Sequence, residues 1–351
     1  MACTHQVQAQ TEVNNYVPGL SQDGVNYFLP KTALRITVVA EKTVTEPGEL
    51  NKYAFRYLRM QDVPTQTSTV WTIKSIAVDP YGVPDNTKAY NIKLKSKTSA
   101  PLVSLTRDGI LLSINTETAE QPLSPLPAAV PAPAPLNAKQ YMSQEILSAG
   151  STAKMAELCA QEIYDIRESR NALVRGEADN TPKDGEQLRL MLDQLATQDQ
   201  ALTQLFAGSV STSTEVFSLT YLPTEETEKD ILFRFSQFSG VVDKDDLSGE
   251  PVFIAVASAG ALPPKAEPNS KKKGKFFSIF KKGKSADGIY YNVPAREAIT
   301  IFDVENTLLE TECSMGQLGY VETMSPALFN KKPTTKVTFF QETGGVKNLE
   351  Q

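Results

Sequence analysis

Two hydrophobic periods alternate along the chain, one typical of strands and one typical of helices. From Tyr27 to Val38, apolar residues such as Leu34 and Ile36 alternate with polar ones, which predicts a strand with one buried face. Similar alternation is present at residues 70–78, 90–94, 102–114, 216–222, 231–238, 252–256, 290–302 and 334–340. Asp108-Gly109 predicts a hairpin turn, whereas the turn-rich sequence from Asp79 to Asp85 predicts a loop.

Residues 151–208 carry the helical period instead. Apolar stripes predict two long helices, and their members are Met155, Leu158, Cys159, Ile163, Ile166, Leu173 and Val174, then Leu188, Met191, Leu192, Leu195, Leu202, Leu205 and Phe206. Gly176 and Gly208 stand where C-terminal caps belong. Thr181 is the expected N-cap of the second helix, with Pro182 at its first position and Asp184 in its first turn. The short connection predicts an antiparallel hairpin.

These patterns predict an α+β protein in which two β-rich units with antiparallel sheets are separated by a long antiparallel helical hairpin. Pro122, Pro125 and the prolines that follow them predict an extended linker before the helices. The expected division is residues 1–9 as a residual signal-peptide tail, 10–120 as a β-rich unit with one short helix, 121–137 as a Pro-rich linker, 138–208 as the helical hairpin, and 209–351 as a β-rich unit with a mobile basic insertion at 261–287.

The amino terminus bears on the compartment. Val7-Gln8-Ala9 has the small-x-small form of a signal-peptidase site, although residues 1–9 have no apolar region before it. We interpret these residues as the tail of a signal peptide, which predicts an extracytoplasmic protein that is periplasmic, associated with an outer membrane or secreted. A disordered tail is the alternative. A lipidated Cys3 is a third interpretation, for which no full lipobox is visible.

Composition and charge then narrow the function. The chain of 351 residues has a net charge of −6, from 35 basic and 41 acidic residues, which argues against a general nucleic-acid binder. The sequence contains no run of eighteen apolar residues, so it predicts no transmembrane helix. The single histidine, His5, lies in the expected signal tail, so the mature chain would lack Ser-His-Asp and histidine metal chemistry. Cys159 and Cys313 are expected to be free thiols, and no phosphate loop or CxxC motif occurs, so we expect no cofactor and no metal.

Two eight-residue stretches echo each other. Asp23 to Pro30 and Asp287 to Pro294 share four identities, and both lead into alternating runs. A duplicated β-unit and chance both remain open explanations.

Several motifs together resemble a known family. They are Ile163–Glu177, Pro182–Gly185, Leu205–Gly208, Tyr27–Val38, Asp108-Gly109, Tyr291–Pro294, Gln317–Gly319 and Thr343-Gly344. In these motifs the chain resembles an uncharacterised family of secreted Bacteroidetes proteins that is catalogued only as a domain of unknown function. The resemblance covers nearly the whole chain and implies synthesis with a signal peptide. It implies no activity, substrate or catalytic residue.

The first candidate site lies on the helices. Arg167 and Arg170 are one turn apart, so together they could grip a carboxylate or phosphate, with Asp184 near the following turn. Alternatively, these three residues dock the hairpin onto a β-unit through internal ion pairs. We favour docking, because no other residue in the motif resembles a reaction centre.

The second candidate is the basic insertion. Its lysines flank phenylalanines, a composition suited to peripheral contact with an anionic membrane or envelope surface. A soluble loop is the alternative. The residues are Lys271, Lys272, Lys273, Lys275, Phe276, Phe277, Phe280, Lys281, Lys282 and Lys284.

We therefore expect a non-catalytic structural or interaction protein of the cell envelope with a protein or envelope partner. Two alternatives stay open, namely a carboxylate-dependent hydrolase of glycans and a binder of anionic surfaces through residues 271–284.

Overall fold

The computed structural model describes residues 12–15, 24–93, 102–178, 184–264, 288–325 and 335–350. The strands in these ranges are β1 (Glu12–Asn15), β2 (Val25–Glu46), β3 (Ser68–Lys93), β4 (Val103–Leu105), β5 (Leu111–Ile114), β6 (Ser209–Tyr221), β7 (Thr227–Ser236), β8 (Gly240–Val242), β9 (Glu250–Ser258), β10 (Ile289–Phe302), β11 (Thr307–Met324), β12 (Lys336–Phe339) and β13 (Val346–Glu350). The helices are α1 (Ala54–Leu58), α2 (Gln144–Leu147), α3 (Thr152–Arg175) and α4 (Gly185–Ala207), with 3-10 turns at Asn51–Tyr53 and Ala138–Tyr141.

The strands form three antiparallel sheets. Sheet A has the order β1-β3-β2-β6, sheet B has the order β13-β12-β5-β4, and sheet C has the order β11-β10-β9-β7-β8. Sheets A and C share a hydrophobic core to which β2 contributes Leu34, Ile36 and Val38, and β10 contributes Ile299 and Ile301. These residues are two positions apart in sequence, so each strand turns one apolar face toward the other sheet.

A second core lies where β2 and β10 begin. Tyr27 and Leu29 pack there against residues of sheet B, including Ile114 and Phe339. The fully buried Tyr27 hydroxyl donates to the Tyr290 carbonyl at 3.2 Å and accepts from the Tyr290 amide at 2.9 Å. Burial of this hydroxyl is therefore compensated by two hydrogen bonds that tie sheet A to sheet C.

The helices form a third core at the other end of sheet A. Ile163 of α3 and Phe206 of α4 are fully buried in it. The Leu50 amide donates to the Leu205 carbonyl at 2.7 Å, which joins the segment after β2 to the end of α4. Gly208 ends α4 with a φ of +78°, and a side chain there would collide with the Glu46 carbonyl, so only glycine fits this close approach.

The structure confirms a fold that mixes helices with several antiparallel sheets, but the sheets are not divided into two separate units. Sheet A combines β1, β2 and β3 from before the helices with β6 from after them. Sheet B likewise combines β4 and β5 with β12 and β13. The expectation of two separate β-rich units is therefore wrong, because strands pair across long stretches of sequence, as Ile114 of β5 pairs with Val337 of β12, and periodicity does not reveal such pairing.

The helix ends test the predicted caps. Gly176 ends α3 in the left-handed conformation, as expected. At the other end, Ser151 caps the helix by accepting from the Lys154 amide at 3.2 Å. Helix α4 differs, because Asp184 is its N-cap and the helix begins at Gly185. The placement of Asp184 within the first turn was wrong, and the predicted cap at Thr181 lies outside the described residues.

The expected loop from Asp79 to Asp85 is part of a continuous strand. Residues 68–93 form β3, and Asp79 to Pro84 pair with Arg35 to Pro30 of β2. Strand β1 pairs only with residues 90–93, so the prolines of β3 lie where the described strand has a neighbour on one side. Proline is tolerated at such an edge because no hydrogen bond is required from its nitrogen.

The described parts of the two echoing stretches, residues 24–30 and 288–294, adopt equivalent local structures. Each opens the first strand of a long hairpin, and each strand breaks register next to its proline. The amides of Phe28 and Asn292 occupy the same position in the two stretches, and they donate to the carbonyls of Gly109 and Gly344 at 2.9 and 3.1 Å. Both glycines belong to the turn of the short hairpin that follows, so the similarity extends beyond the identical residues.

Residues 121–137, which we name the strap, contain no helix or strand. The strap contacts one element after another along the molecule. Gln121 bonds to Gln341 after β12, the Ser124 carbonyl accepts from Arg35 of β2, and Val130 exchanges two hydrogen bonds with Thr214 of β6. The Pro-rich segment is thus fixed against the sheets at several points.

Candidate functional site

The two candidate arginines have different surroundings. The Arg167 Nε donates to Asp199 Oδ1 of α4 at 2.9 Å, and its Nη2 donates to Thr203 Oγ1 at 3.2 Å. Thr203 in turn donates to Asp199, so the guanidinium belongs to a closed network. Arg170 is exposed and takes no part in it. The two residues therefore do not form a joint anion grip. Docking of Arg167 onto a β-unit, the interpretation we favoured, is wrong as well, because its partners lie on α4.

The third member of this set, Asp184, caps α4. Its Oδ1 accepts from the Glu186 amide at 3.2 Å. A carboxylate in this position satisfies a helix amide and complements the positive end of the helix. Its role in the structure is local, and neither arginine contacts it.

The candidate surface-binding residues of the basic insertion lie outside the described residues. They are Lys271, Lys272, Lys273, Lys275, Phe276, Phe277, Phe280, Lys281, Lys282 and Lys284. Surface binding through them stays a prediction.

A groove between α3 and α4 is the concave feature that sequence reasoning missed. Its volume is about 590 Å³, and its lining residues are Ser169, Ala172, Leu173, Ala178, Leu190, Met191, Gln194 and Leu195. Leu190 is 63% exposed and Met191 is 40% exposed. Single exposed side chains of this size are common, but here they join a continuous apolar groove, and such a surface marks a candidate binding site.

The groove is open because the helical core ends before the helices do. In this core the last buried residue of α3 is Ile166, and the first buried residue of α4 is Leu202. Beyond these positions the two helices contact each other, but no further described element covers the apolar residues near the end of α3 and the start of α4. The periodicity that predicted one continuous stripe on α4 contained this signal, since Leu188 and Met191 continue the stripe beyond Leu195, which packs against the core.

The residues that line the groove include no titratable side chain, so the described lining gives no sign of a reaction centre. Among described residues, Cys159 and Cys313 are free thiols, and burial raises the pKa of each to about 11. Both thiols are therefore protonated at neutral pH and weakly nucleophilic. In the described ranges, no three His, Cys, Asp or Glu side chains gather in a way that could hold a metal ion.

One buried carboxyl group needs an explanation. Glu297 of β10 is 1% exposed, and its Oε2 atom has no hydrogen-bond partner among the described residues. Burial raises the pKa of Glu297, and the charge of Glu226 raises it further. Glu297 faces the core between Ala295 and Ile299, with Cys313 opposite it on β11. Burial of the unpartnered Oε2 atom carries an energetic cost.

Fold and site together define a β-rich α+β protein with an apolar interhelical groove. None of the helices in the described ranges is long and apolar enough to cross a bilayer. The chain belongs to the family described as Domain of unknown function (DUF4831), whose model matches residues 23–347. Searches of curated proteins and of solved structures gave no match.

Proposed function

We propose that the protein is a non-catalytic interaction protein of the cell envelope that binds an amphipathic helix of a partner protein in the groove between α3 and α4. The observation that carries this proposal is the groove itself, with Leu190 and Met191 exposed beside the buried Leu173. A pair of helices with an apolar groove accepts a third helix whose apolar face completes the packing.

The arrangement of α3 and α4 supports this use. Leu173, near the end of α3, shares the groove with Leu190 and Met191, near the start of α4. Arg167, earlier in α3, pairs with Asp199, later in α4, so the two helices run in opposite directions. We propose that they act as one helical hairpin with its base in the helical core and its outer half available for binding. The network around Arg167 holds the two helices together just before the groove begins, which keeps the groove preorganised.

The described lining of the groove is mostly apolar, which suits it to cover the apolar face of a partner. Its polar lining residues are Ser169 and Gln194, which suit hydrogen bonds to a partner backbone. The envelope location rests on the Val7-Gln8-Ala9 pattern of the sequence. Mass spectrometry of the native protein from fractionated cells tests that location, which would be refuted by an unprocessed chain in the cytosolic fraction.

The groove is tested with a synthetic amphipathic peptide that carries leucines at i, i+3, i+4 and i+7, together with a scrambled peptide of the same composition. Fluorescence anisotropy measures binding. Covering the exposed part of a leucine contributes about 1–2 kcal/mol, so Leu190→Glu is expected to weaken binding at least about tenfold.

The matched control is Leu247→Glu. Leu247 is 82% exposed in the loop between β8 and β9, outside the groove, so the same change of charge there is expected to leave peptide binding unchanged. Equal binding of the amphipathic and scrambled peptides, or equal effects of the two substitutions, would refute the proposal.

A further inference from the structure

The strap crosses the outer face of sheet A, which is the face turned away from sheet C. Arg35 Nη2 donates to the Ser124 carbonyl at 2.7 Å at one end of the crossing. At the other end, the Thr214 amide donates to the Val130 carbonyl at 2.8 Å. Arg35 pairs with Thr220 of β6, and Glu41 pairs with Thr214, so the strap passes the level of Thr37 between them.

Two polar atoms on this face are buried without a partner. Arg35 Nε and Thr37 Oγ1 have no hydrogen bond to any described residue. Thr37 is 3% exposed, and the two side chains lie on the same face of β2 because they are two residues apart. Buried polar atoms are normally paired, and a pair of unpaired ones on one face indicates a place where a ligand group belongs.

The surrounding residues define the chemistry of that ligand. The register places Asp79 and Tyr81 of β3 on the same face as Arg35, and a 3.3 Å hydrogen bond joins the Tyr81 hydroxyl to Thr220. Asp79 Oδ2 accepts from Arg35 Nη2 at 2.7 Å, while its side chain remains 36% exposed. The face therefore offers guanidinium donors, a carboxylate acceptor and hydroxyl groups that do both.

Charge distinguishes a neutral ligand from an anion. The charge of Arg35 is already compensated by Asp79, so an anion would meet a carboxylate as well as a guanidinium. A hydroxyl group can donate to the carboxylate and accept from the guanidinium at once. Neighbouring hydroxyls of one sugar can use both members of the pair.

We propose that the outer face of sheet A around Arg35 and Thr37 binds a saccharide through its vicinal hydroxyl groups, and that the strap occupies the same place in the free protein. In the free protein, the Ser124 carbonyl accepts from Arg35 Nη2 at the position that a sugar oxygen would occupy. Ligand binding displaces the strap between its attachments at Gln121 and Val130. This site lies on sheet A, apart from the interhelical groove, so the test of saccharide binding is independent of the test of helix binding.

The attachment of the strap at Gln121 indicates how the affinity for a saccharide can be changed. Gln341 holds Gln121 by two hydrogen bonds, of 2.9 and 3.2 Å. Gln341→Ala removes both hydrogen bonds and so favours displacement of the strap. A larger fraction of the protein can then bind the saccharide, and the apparent affinity rises. The substitution lies outside the ligand face and leaves the ligand contacts intact.

Affinity electrophoresis of the full chain tests the proposal with three soluble probes: a β-1,3-glucan, an α-mannan and an α-1,4-glucan. Gln341→Ala is expected to bind at least one probe at least about fivefold more tightly than the wild type. In the Gln341→Ala background, Thr37→Val is expected to weaken binding at least about tenfold without lowering the melting temperature, because it removes a hydroxyl that has no partner in the free protein.

Thr43→Val is the matched control. Thr43 lies on the same face of β2 beyond the crossing, opposite Thr212, so its substitution is expected to leave binding unchanged. If neither the wild type nor Gln341→Ala binds any probe, the site holds ordered water only and the proposal is overturned. Equal loss of binding in Thr37→Val and Thr43→Val, or no loss in Thr37→Val, would also overturn it.

Discussion

Replacing Glu297 with methionine should stabilise the protein, and the gain should depend on pH. Glu297 is buried on the core face of β10, and its Oε2 has no described partner. An unpaired buried polar group costs about 1–3 kcal/mol. Methionine has a similar length and no polar group to leave unpaired, so Glu297→Met is expected to raise the free energy of unfolding by about that amount at pH 8.

The pH dependence follows from the raised pKa of Glu297 in the folded state. In the unfolded chain this carboxyl titrates near its ordinary pKa of about 4.3. Between that value and the raised pKa, the folded state binds more protons, so the stability of the wild type falls as the pH rises through this window. The advantage of Glu297→Met is therefore smallest at pH 4, grows through the window and becomes constant above it.

Urea unfolding of both proteins at pH 4 to 8 measures this difference. Glu297→Gln separates charge from polarity, because its amide is neutral but still lacks partners, and its gain should be smaller than that of methionine. Glu310→Met on β11 is the exposed control, with an expected change below about 0.5 kcal/mol at each pH. A methionine variant that is less stable at pH 8, or whose advantage is independent of pH, would refute the reasoning.

Three further changes probe the cores and the helices. Arg167→Met should lower the free energy of unfolding by about 1 kcal/mol through loss of its ion pair, measured by urea titration, while Arg170→Met should leave it unchanged. Gly208→Ala should cost more than about 1 kcal/mol because of its positive φ and crowded backbone, and a lower melting temperature by calorimetry is the expected result. Tyr27→Phe should cost about 1–3 kcal/mol, since the Tyr290 backbone loses both of its hydroxyl contacts; an unchanged urea midpoint would contradict this.

Local signals in the sequence were sufficient for the C-terminal ends of α3 and α4, where Gly176 and Gly208 stand as predicted, but not for the start of α4. Gly176 predicted the end of α3 because a left-handed C-cap depends on the hydrogen bonds and backbone angles of a few adjacent residues. The hairpin at Asp108-Gly109 was predictable for the same reason, since Gly109 adopts a φ of +84° in the turn between β4 and β5. The free state of Cys159 and Cys313 also agrees with their isolated positions in the sequence.

The same local signals failed where long-range pairing overrode them. Asp79 to Asp85 contains two prolines and a glycine, yet pairing with β2 extends the strand through it. The predicted joint site of Arg167 and Arg170 was wrong for a different reason. Their spacing on α3 is correct for a joint site, but Asp199 lies 32 residues away and takes only Arg167. Sequence spacing fixes which residues share a helix face, and it does not fix what the opposing helix presents to them.

The sequence by itself determined most of the elements of this protein: the helices α3 and α4, strands with one apolar face, and a Pro-rich segment without helix or strand. Their period and capping chemistry are properties of neighbouring residues. Only the tertiary structure decided which strands share a sheet and that the helical core ends before Leu190. It also decided that the strap lies across sheet A, in contact with Arg35. These features depend on contacts between distant segments, because the burial of a side chain is set by whatever part of the chain folds over it.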